Sequence, residues 1–242
     1  MRLRLVTHAG PLDVEGDHVA DAAGEPELSL DLDGATLRPG LVNAHDHLHR
    51  NHLPRLGEPP YADAATWGRD LHERFADGLD LRHALPRRDA LLFGALKNVL
   101  GAATTAVHHD AWEEDFGHDF PVRVPRIPTA QSVREAPAVA PPGPWTMHLA
   151  EGTSRGAREE IADADARGLL GRSLAAVHLV ATDADGLARL TRAGCAAVWC
   201  PTSNAFLYGA TASRALFAAG LEVLLGTDAL VSGAGTLLDE LA

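Results

Sequence analysis

Apolar and polar positions follow two alternating periods along most of this chain. From Leu41 onward, short apolar or β-branched stretches are followed by stretches with helical apolar spacing, and glycine or proline often marks the change. The stretches that predict strands begin at Leu41 and recur at 104–110, 121–127 (weaker, with prolines), 145–150, 174–180, 196–200 and 221–226. The stretches that predict helices lie at 87–100, 157–170, 183–194, 211–219 and from 237 onward. The alternation predicts parallel βα units.

The first forty residues follow a different pattern, typical of short strands and turns. Residues 2–7 alternate between apolar and polar, and residues 27–33 alternate more strictly, which indicates half-buried strands. Gly34, Pro39 and Gly40 then mark turns. We therefore expect a small β segment over residues 1–38 and a larger α/β domain over 39–242.

Polar residues follow nearly every predicted strand of the α/β region. They are His45 and His47, 108–110, His148, His178, 202–204 and Asp228. In a closed (β/α)8 barrel the carboxyl ends of all strands surround one site, whereas a flat doubly wound sheet concentrates its site at one switch point. Polar ends on this many strands favour a closed or nearly closed barrel.

Composition narrows the classes of partner. The net charge of −12 opposes binding to nucleic acid or to an anionic membrane, and no apolar run reaches the roughly 20 residues that span a bilayer. Cys195 and Cys200 form no Cys-x-x-Cys pair, and the N-terminus lacks the apolar core of a signal peptide, so a reducing cytoplasm is expected. A small molecule is the expected partner. Thirteen histidines against a single lysine, Lys97, require an explanation of their own.

The histidines at the strand ends have the spacing of metal ligands. Side chains two apart on a strand share a face, so His45 and His47 can reach one metal while Asp46 points away. Alone, this pair could be chance in a histidine-rich chain. His148 with Glu151 three residues later, then His178, then Asp228 are each weak signals too. Their joint occurrence at successive strand ends is far more specific.

The segments PGLVNAHDHLH, HLAEG, VHLV, CPTSN and GTDAL resemble the amidohydrolase superfamily. They are most similar to its mononuclear aminohydrolase branch, which includes cytosine, guanine and S-adenosylhomocysteine deaminases and the triazine hydrolases. The resemblance implies a distorted, TIM-like (β/α)8 barrel over 39–242, with residues 1–38 as part of a small β-sandwich.

The resemblance also implies roles for individual residues. Four of them, His45, His47, His148 and Asp228, would hold one divalent metal ion, with zinc favoured over iron. Glu151 would move protons between water and leaving group, His178 would hold or activate the water, and Asp228 would accept a proton. Ser203 and Asn204 would line the substrate pocket. His109 ends the second predicted strand and is expected to contact substrate, with a hydrogen-bonding role behind the site as the alternative.

The implied activity is hydrolysis of a non-peptide C–N bond, with deamination of a small nitrogenous, heterocyclic compound as the leading expectation. Hydrolysis of an amide or a halide at the same site stays open. A lysine-bridged dinuclear site is not expected, because Lys97 lies within the predicted helix 87–100 and not at a strand end.

Two departures from the family pattern affect these expectations. Between His47 and His148 the fourth barrel strand has no clear candidate, so either a very short strand lies near 132–135 or one βα unit is reduced. The chain also ends at LDELA, directly after the eighth predicted strand, so the last helix is expected to be missing. A fragment, a truncated gene product or a homo-oligomer that covers the gap would each account for this. A truncated barrel that binds metal without turnover is therefore the second functional hypothesis.

Overall fold

The computed structural model describes residues 2–16, 18–20, 24–117, 119–212 and 214–241. The chain forms two compact units, Met1–Gly40 and Leu41–Ala242. The domain boundary expected after residue 38 stays a prediction. Among the described residues, none of the helices combines the length and apolar character needed to cross a membrane.

The first unit is a four-stranded mixed sheet. Its strands are β1 (Arg2–Thr7), β2 (Gly10–Glu15), β3 (His18–Ala20) and β4 (Leu28–Asp31), in the order β3-β2-β1-β4. β1 and β2 form an antiparallel hairpin, and β4 runs parallel to β1. The carboxylate of Asp13 is buried and accepts a hydrogen bond of 2.7 Å from Arg4 Nε. The strand predicted at 2–7 is confirmed as half-buried. A strand is also present within 27–33, but all four residues of β4 are exposed, so the expectation that it is half-buried is wrong.

The second unit alternates strands and helices. Its strands are β5 (Leu41–Asp46), β6 (Ala103–His108), β7 (Thr129–Ala130), β8 (Trp145–Leu149), β9 (Leu174–His178), β10 (Ala196–Trp199) and β11 (Val223–Leu225). Its helices are α1 (Ala64–Glu73), α2 (Ala76–Asp80), α3 (Arg87–Leu100), α4 (Arg155–Ala166), α5 (Ala184–Ala193), α6 (Pro201–Tyr208) and α7 (Ala215–Ala218), with short 3₁₀ turns at Leu48–Arg50, Leu81–His83, Glu114–Phe116 and Asp239–Leu241.

The strands of this unit follow one another in barrel order. β7 to β11 form a five-stranded parallel sheet, and β5 pairs in parallel with β6. A parallel bridge between Asp46 and Asp228 joins the end of β5 to the segment after β11, and another joins Thr105 in β6 to Arg123. The expected α/β barrel fold is thus confirmed, and the carboxyl ends of its strands lie on one edge.

Apolar side chains fill the space between the sheet and its helices. Met147 on β8, Ile161 on α4 and Leu190 on α5 are fully buried in the largest apolar cluster. A smaller cluster inside the sheet contains Val177 and Val198.

Several elements differ from the sequence-based expectation. The fourth barrel strand is the two-residue β7, ahead of the region 132–135 where it was sought. Prolines at 121, 125 and 128 remove backbone donors, so the strand expected at 121–127 is reduced to the single bridge at Arg123. The helix expected from residue 237 is a 3₁₀ turn, and α1, α2 and α6 were not predicted.

Side-chain caps fix the starts of two helices. Asp183 caps α5, because its carboxylate accepts the Gly186 N–H at 2.9 Å. Ser154 caps α4 by accepting the Ala157 N–H at 3.1 Å. α3 has the predicted bounds, 87–100.

α3 approaches the chain directly after β5 at Gly94. A Cβ atom at Gly94 would collide with the backbone of Leu48 and lie 2.7 Å from its Cα. Because the nearest atoms all belong to the backbone of Leu48, any residue larger than glycine would require a shift of the helix.

We expect Gly94→Ala to lower the free energy of unfolding by about 1–3 kcal/mol, because the added methyl overpacks this contact. Gly68→Ala is the matched control, since Gly68 is also helical but a Cβ there meets nothing within 4 Å. Denaturant unfolding would measure both. Equal stability of Gly94→Ala and wild type would contradict the close approach.

Candidate metal centre

Four side chains from three strand ends converge on one point. His45 lies in β5, His47 directly follows it, His148 lies in β8, and Asp228 follows β11. All four are buried. Asp228 Oδ1 lies 3.5 Å from His45 Nε2 and 3.7 Å from His47 Nε2, and the rings of His45 and His148 are centred 5.0 Å apart. The structure therefore brings together the four predicted metal ligands.

Hydrogen bonds set the tautomers of two of these histidines. His47 Nδ1 donates to Asp110 Oδ2 at 2.7 Å, and His148 Nδ1 donates to the carbonyl of Gln131 at 3.3 Å. A ring that donates from Nδ1 carries a lone pair on Nε2. Both histidines therefore present an Nε2 lone pair to the centre.

The ligand set fits a divalent cation. Among the described residues, His148 Nε2 and both ring nitrogens of His45 have no hydrogen-bond partner, although they are buried. Unpaired buried polar atoms are costly, and a metal ion would remove that cost. Three imidazole nitrogens and one carboxylate oxygen form a ligand set typical of zinc.

The protonation states also suit a metal. Burial lowers the pKa of His47 and of His148 well below the usual value, so both rings are neutral. Burial opposes ionisation of Asp228, but the neighbouring His45 outweighs it and holds the pKa of that carboxyl well below its usual range. Metal binding requires neutral imidazoles and an ionised carboxylate.

Asp228 is itself held in place by hydroxyl groups. Its Oδ2 accepts hydrogen bonds from Ser203 Oγ at 2.6 Å and from Ser232 Oγ at 2.9 Å. Its Oδ1 faces the histidines.

Glu151 and His178 lie beside the four ligand candidates. Glu151 Oε1 is 3.5 Å from His178 Nε2 and accepts a hydrogen bond of 2.7 Å from the Tyr208 hydroxyl. His178 Nδ1 donates to Asn204 Oδ1 at 2.8 Å, which leaves an Nε2 lone pair directed at Glu151 and the centre. A proton acceptor and a carboxylate thus share one side of the site.

The backbone is strained at two of these positions. His178 has a φ of 75° and Asp228 has a φ of 57°, which places both in the left-handed region that residues other than glycine rarely adopt. Each such residue costs on the order of 1–3 kcal/mol. Strain of this kind is concentrated at functional sites, where the surrounding structure maintains it.

The three predicted substrate contacts lie behind the ligand candidates. Ser203 and Asn204 are fully buried and bind Asp228 and His178 as described. His109 is also fully buried, stacks on His148 with centroids 3.9 Å apart, and donates from Nε2 to the carbonyl of Ala130. This placement favours orientation of the site over substrate contact, and a role in substrate binding stays a prediction.

A cavity of about 390 Å³ opens over the centre. The floor of the cavity is formed by His47, His148, Glu151, His178 and Asp228. Its apolar walls are formed by Leu53, Trp67, Leu71, Leu79 and Val231. The other residues that line it include His49, Arg50, His72, Arg82 and Gln131. The reactive groups are therefore accessible to a small molecule.

A second cluster nearby is less suited to a metal. Ligand atoms of His49, His108 and Asp110 lie within 4.8 Å of one another. However, His108 Nδ1 accepts the Leu48 N–H at 3.2 Å, so the ring proton resides on Nε2. A protonated nitrogen cannot ligate a cation, and this cluster is better described as hydrogen-bonding support.

Comparison with known proteins gives a sequence match over part of the chain and structural matches over nearly all of it. No family model matches the sequence. A segment of 70 residues is 47% identical to aminodeoxyfutalosine deaminase from Deinococcus radiodurans; it covers 28% of this chain and 17% of that protein, so the match spans about a sixth of the relative's length.

Solved structures match the chain more extensively. The zinc complex of atrazine chlorohydrolase TrzN from Arthrobacter aurescens superposes with a TM-score of 0.65 and 15% identity over 97% of this chain and 73% of that one. A zinc-bound adenosine deaminase from Xanthomonas campestris gives a TM-score of 0.58 and 16% identity over 96% and 69%. The chain has the amidohydrolase fold. The resemblance based on the sequence motifs is thus confirmed at the level of the fold.

Some residues of this amidohydrolase-fold site were missed from the sequence. Asp110 was noted only as part of a polar strand end, and Gln131 follows the unrecognised strand β7. Tyr208 had a usable signal: it lies four residues after Asn204, which puts both on one face of a helix. That signal required α6 to be predicted.

We expect Asp110→Ala to weaken zinc binding about 10- to 100-fold, because His47 loses the partner that fixes its tautomer. Zinc affinity measured by competition with a chromogenic chelator would test this. Asp115→Ala is the control, since Asp115 pairs with Arg88 near the surface. Unchanged affinity in Asp110→Ala would contradict the role assigned to this carboxylate.

A second carboxyl group lies close to Glu151. Glu160 Oε2 accepts the Ala150 N–H at 2.9 Å. Burial raises the pKa of Glu160 from its ordinary 4.5 to about 7, the Ala150 N–H opposes the rise, and the charge of Glu151 adds to it. The folded state therefore binds this proton more tightly than the unfolded state does. The contribution of this proton to the stability of the fold is complete below about pH 4.5 and is lost as the pH rises through about 7.

Glu160→Gln removes this titration, so its melting temperature relative to wild type should be higher at about pH 8 than at about pH 5. Thermal unfolding at the two pH values would measure the difference. The control is Glu159→Gln at an exposed position. A relative melting temperature that does not change with pH would show that Glu160 titrates normally.

Proposed function

We propose that this protein is a mononuclear, metal-dependent aminohydrolase that uses water to cleave a C–N bond of a small nitrogenous heterocycle. The observation that carries the proposal is the meeting of buried, partnerless imidazole nitrogens with an ionised carboxylate at the floor of an open cavity. The 47% identity of one segment to a deaminase supports deamination as the reaction.

His45, His47, His148 and Asp228 would hold the metal. Zinc is the favoured ion, because both the ligand types and the zinc-bound structures of similar fold support it, and iron is the alternative. When bound, Zn²⁺ would lower the pKa of a water ligand to about 7, which would supply a nucleophile at neutral pH.

The remaining steps are assigned to side chains of this chain. The Nε2 lone pair of His178 would accept a hydrogen bond from the attacking water and orient it. Asp228 Oδ1 would take the first proton from that water. Glu151, which Tyr208 holds in place, would take the second proton of that water and deliver it to the departing nitrogen as the C–N bond breaks, so that the nitrogen leaves as neutral ammonia or amine. Asp228 would then release its proton to solvent.

The cavity supports a small, partly apolar substrate. Its volume of about 390 Å³ suits a ring compound of modest size, and Trp67 supplies a flat apolar wall. The fold match to an atrazine chlorohydrolase supports halide displacement as the second candidate, since the same water could attack a carbon that bears a halogen.

The test combines metal analysis with a screen of heterocyclic amines. We expect about one zinc per chain in wild type, a strong reduction in Asp228→Ala, and release of ammonia or amine from at least one compound. Glu151→Gln should keep its metal but lose roughly 10²- to 10⁴-fold in turnover, since proton delivery fails. Glu159→Gln is the exposed control.

The outcomes separate the candidate functions. Chloride release without ammonia release would favour the second candidate. Bound zinc with no turnover of either kind would favour a metal-binding barrel without catalysis. Failure of wild type to take up any metal would exclude the proposed mechanism.

A further inference from the structure

Asp46, between the two histidines of β5, points away from them into a buried polar network. Its Oδ2 accepts hydrogen bonds from Lys97 Nζ at 2.9 Å, Asn98 Nδ2 at 2.6 Å and Asn43 Nδ2 at 3.2 Å. Its Oδ1 accepts one from Asn51 Nδ2 at 2.8 Å. The Thr227 hydroxyl lies 3.5 Å from Oδ2, so five donors from four segments of chain surround this fully buried carboxylate.

Lys97 is the single lysine of the chain, and its side chain is buried. Its side chain is 5% exposed and extends from α3 to Asp46. The same ammonium group donates to Thr227 Oγ1 at 2.9 Å. Lys97 thus contacts the residue between the two histidines and the residue before Asp228.

The network also fixes the segment that carries Asp228. Asn43 Oδ1 accepts the Thr227 N–H at 3.1 Å, and the Asp228 N–H donates to the His45 carbonyl at 3.0 Å. Farther along, Asn51 Oδ1 accepts the Leu230 N–H at 3.0 Å. One buried carboxylate therefore connects α3, residues 227–230 and β5 with the residue that follows it, and these carry His45, His47 and Asp228.

We propose that the Lys97–Asp46 ion pair is a positioning device that sets the metal affinity of the site. It holds His45, His47 and Asp228 in one arrangement before any metal binds, without touching the metal itself. This inference rests on the proposed function, because it assumes that these residues ligate a metal.

Energetic reasoning supports positioning over simple stabilisation. Removing two charges from water costs about as much as their attraction returns, so a buried ion pair contributes little net stability. Its directional hydrogen bonds, by contrast, fix geometry. The close approach at Gly94 allows α3 to place Lys97 and Asn98 directly behind the strand.

The experiment measures zinc affinity by chelator competition and, separately, the melting temperature of the metal-free protein. The variants are Lys97→Met, Asp46→Asn and the double variant. The matched control is Asp13→Asn, which alters a buried, ion-paired carboxylate of the N-terminal sheet.

We expect Lys97→Met to weaken zinc binding about 10- to 100-fold, as losing a partner behind a ligand shell typically does. The double variant should recover melting temperature, since no unpaired charge stays buried, but its zinc affinity should stay about tenfold weaker or more, because an amide replaces two acceptor oxygens by one. Asp13→Asn should leave zinc affinity unchanged.

A merely structural pair would give a different result. Lys97→Met with zinc affinity within about twofold of wild type overturns the inference, as does a double variant that recovers both stability and affinity. If Lys97→Met does not fold, Asp46→Asn is used instead, because it removes the charge of the ion pair and keeps a side chain of the same shape. About tenfold weaker zinc binding in Asp46→Asn supports the proposal, and affinity within about twofold of wild type overturns it. Wild type that binds no zinc overturns the proposed function and this inference together.

Discussion

The carboxylate of Asp46 and the ammonium of Lys97 meet beneath β5, 2.9 Å apart and shielded from water. Because side chains alternate along a strand, holding Asp46 on that side commits His45 and His47 to the other. The bridge from Asp46 to Asp228 then brings the end of the last strand beside the first. The geometry of His45, His47 and Asp228 thus depends on the end of β5, where buried polar side chains point to both sides.

Much of this arrangement could be read from local sequence. The period-two pattern identified His45 and His47 as neighbours on one face, and apolar spacing gave α3 its bounds. His148, His178 and Asp228 could be placed at one edge because parallel strands end on the same side. These features depend on a few consecutive residues, and burial of the apolar stretches leaves little freedom in where the strand ends lie.

What the sequence could not supply depends on partners distant in the chain. β7 has two residues and no detectable period, and only pairing with β8 makes it a strand. Thr182 and Asp183 are both good caps, and the choice between them depends on where α5 meets its neighbours. Asp110 and Lys97 acquire their roles from contacts 63 and about 50 residues away, which no local pattern encodes.

The structural neighbours show that one fold can accommodate different reactions. A deaminase and a chlorohydrolase have the same fold as this chain and release different leaving groups. The ligand candidates lie on buried strand ends and cannot change without disturbing the core. The apolar walls of the cavity come mostly from α1, the loop before it and α2, with Val231 from the segment after β11. Trp67 and Leu71 lie on α1, and Leu53 lies in the loop before it. If the proposed function holds, selection of the leaving group and ring should therefore depend on this segment, since it lines the cavity and bears none of the four ligand candidates.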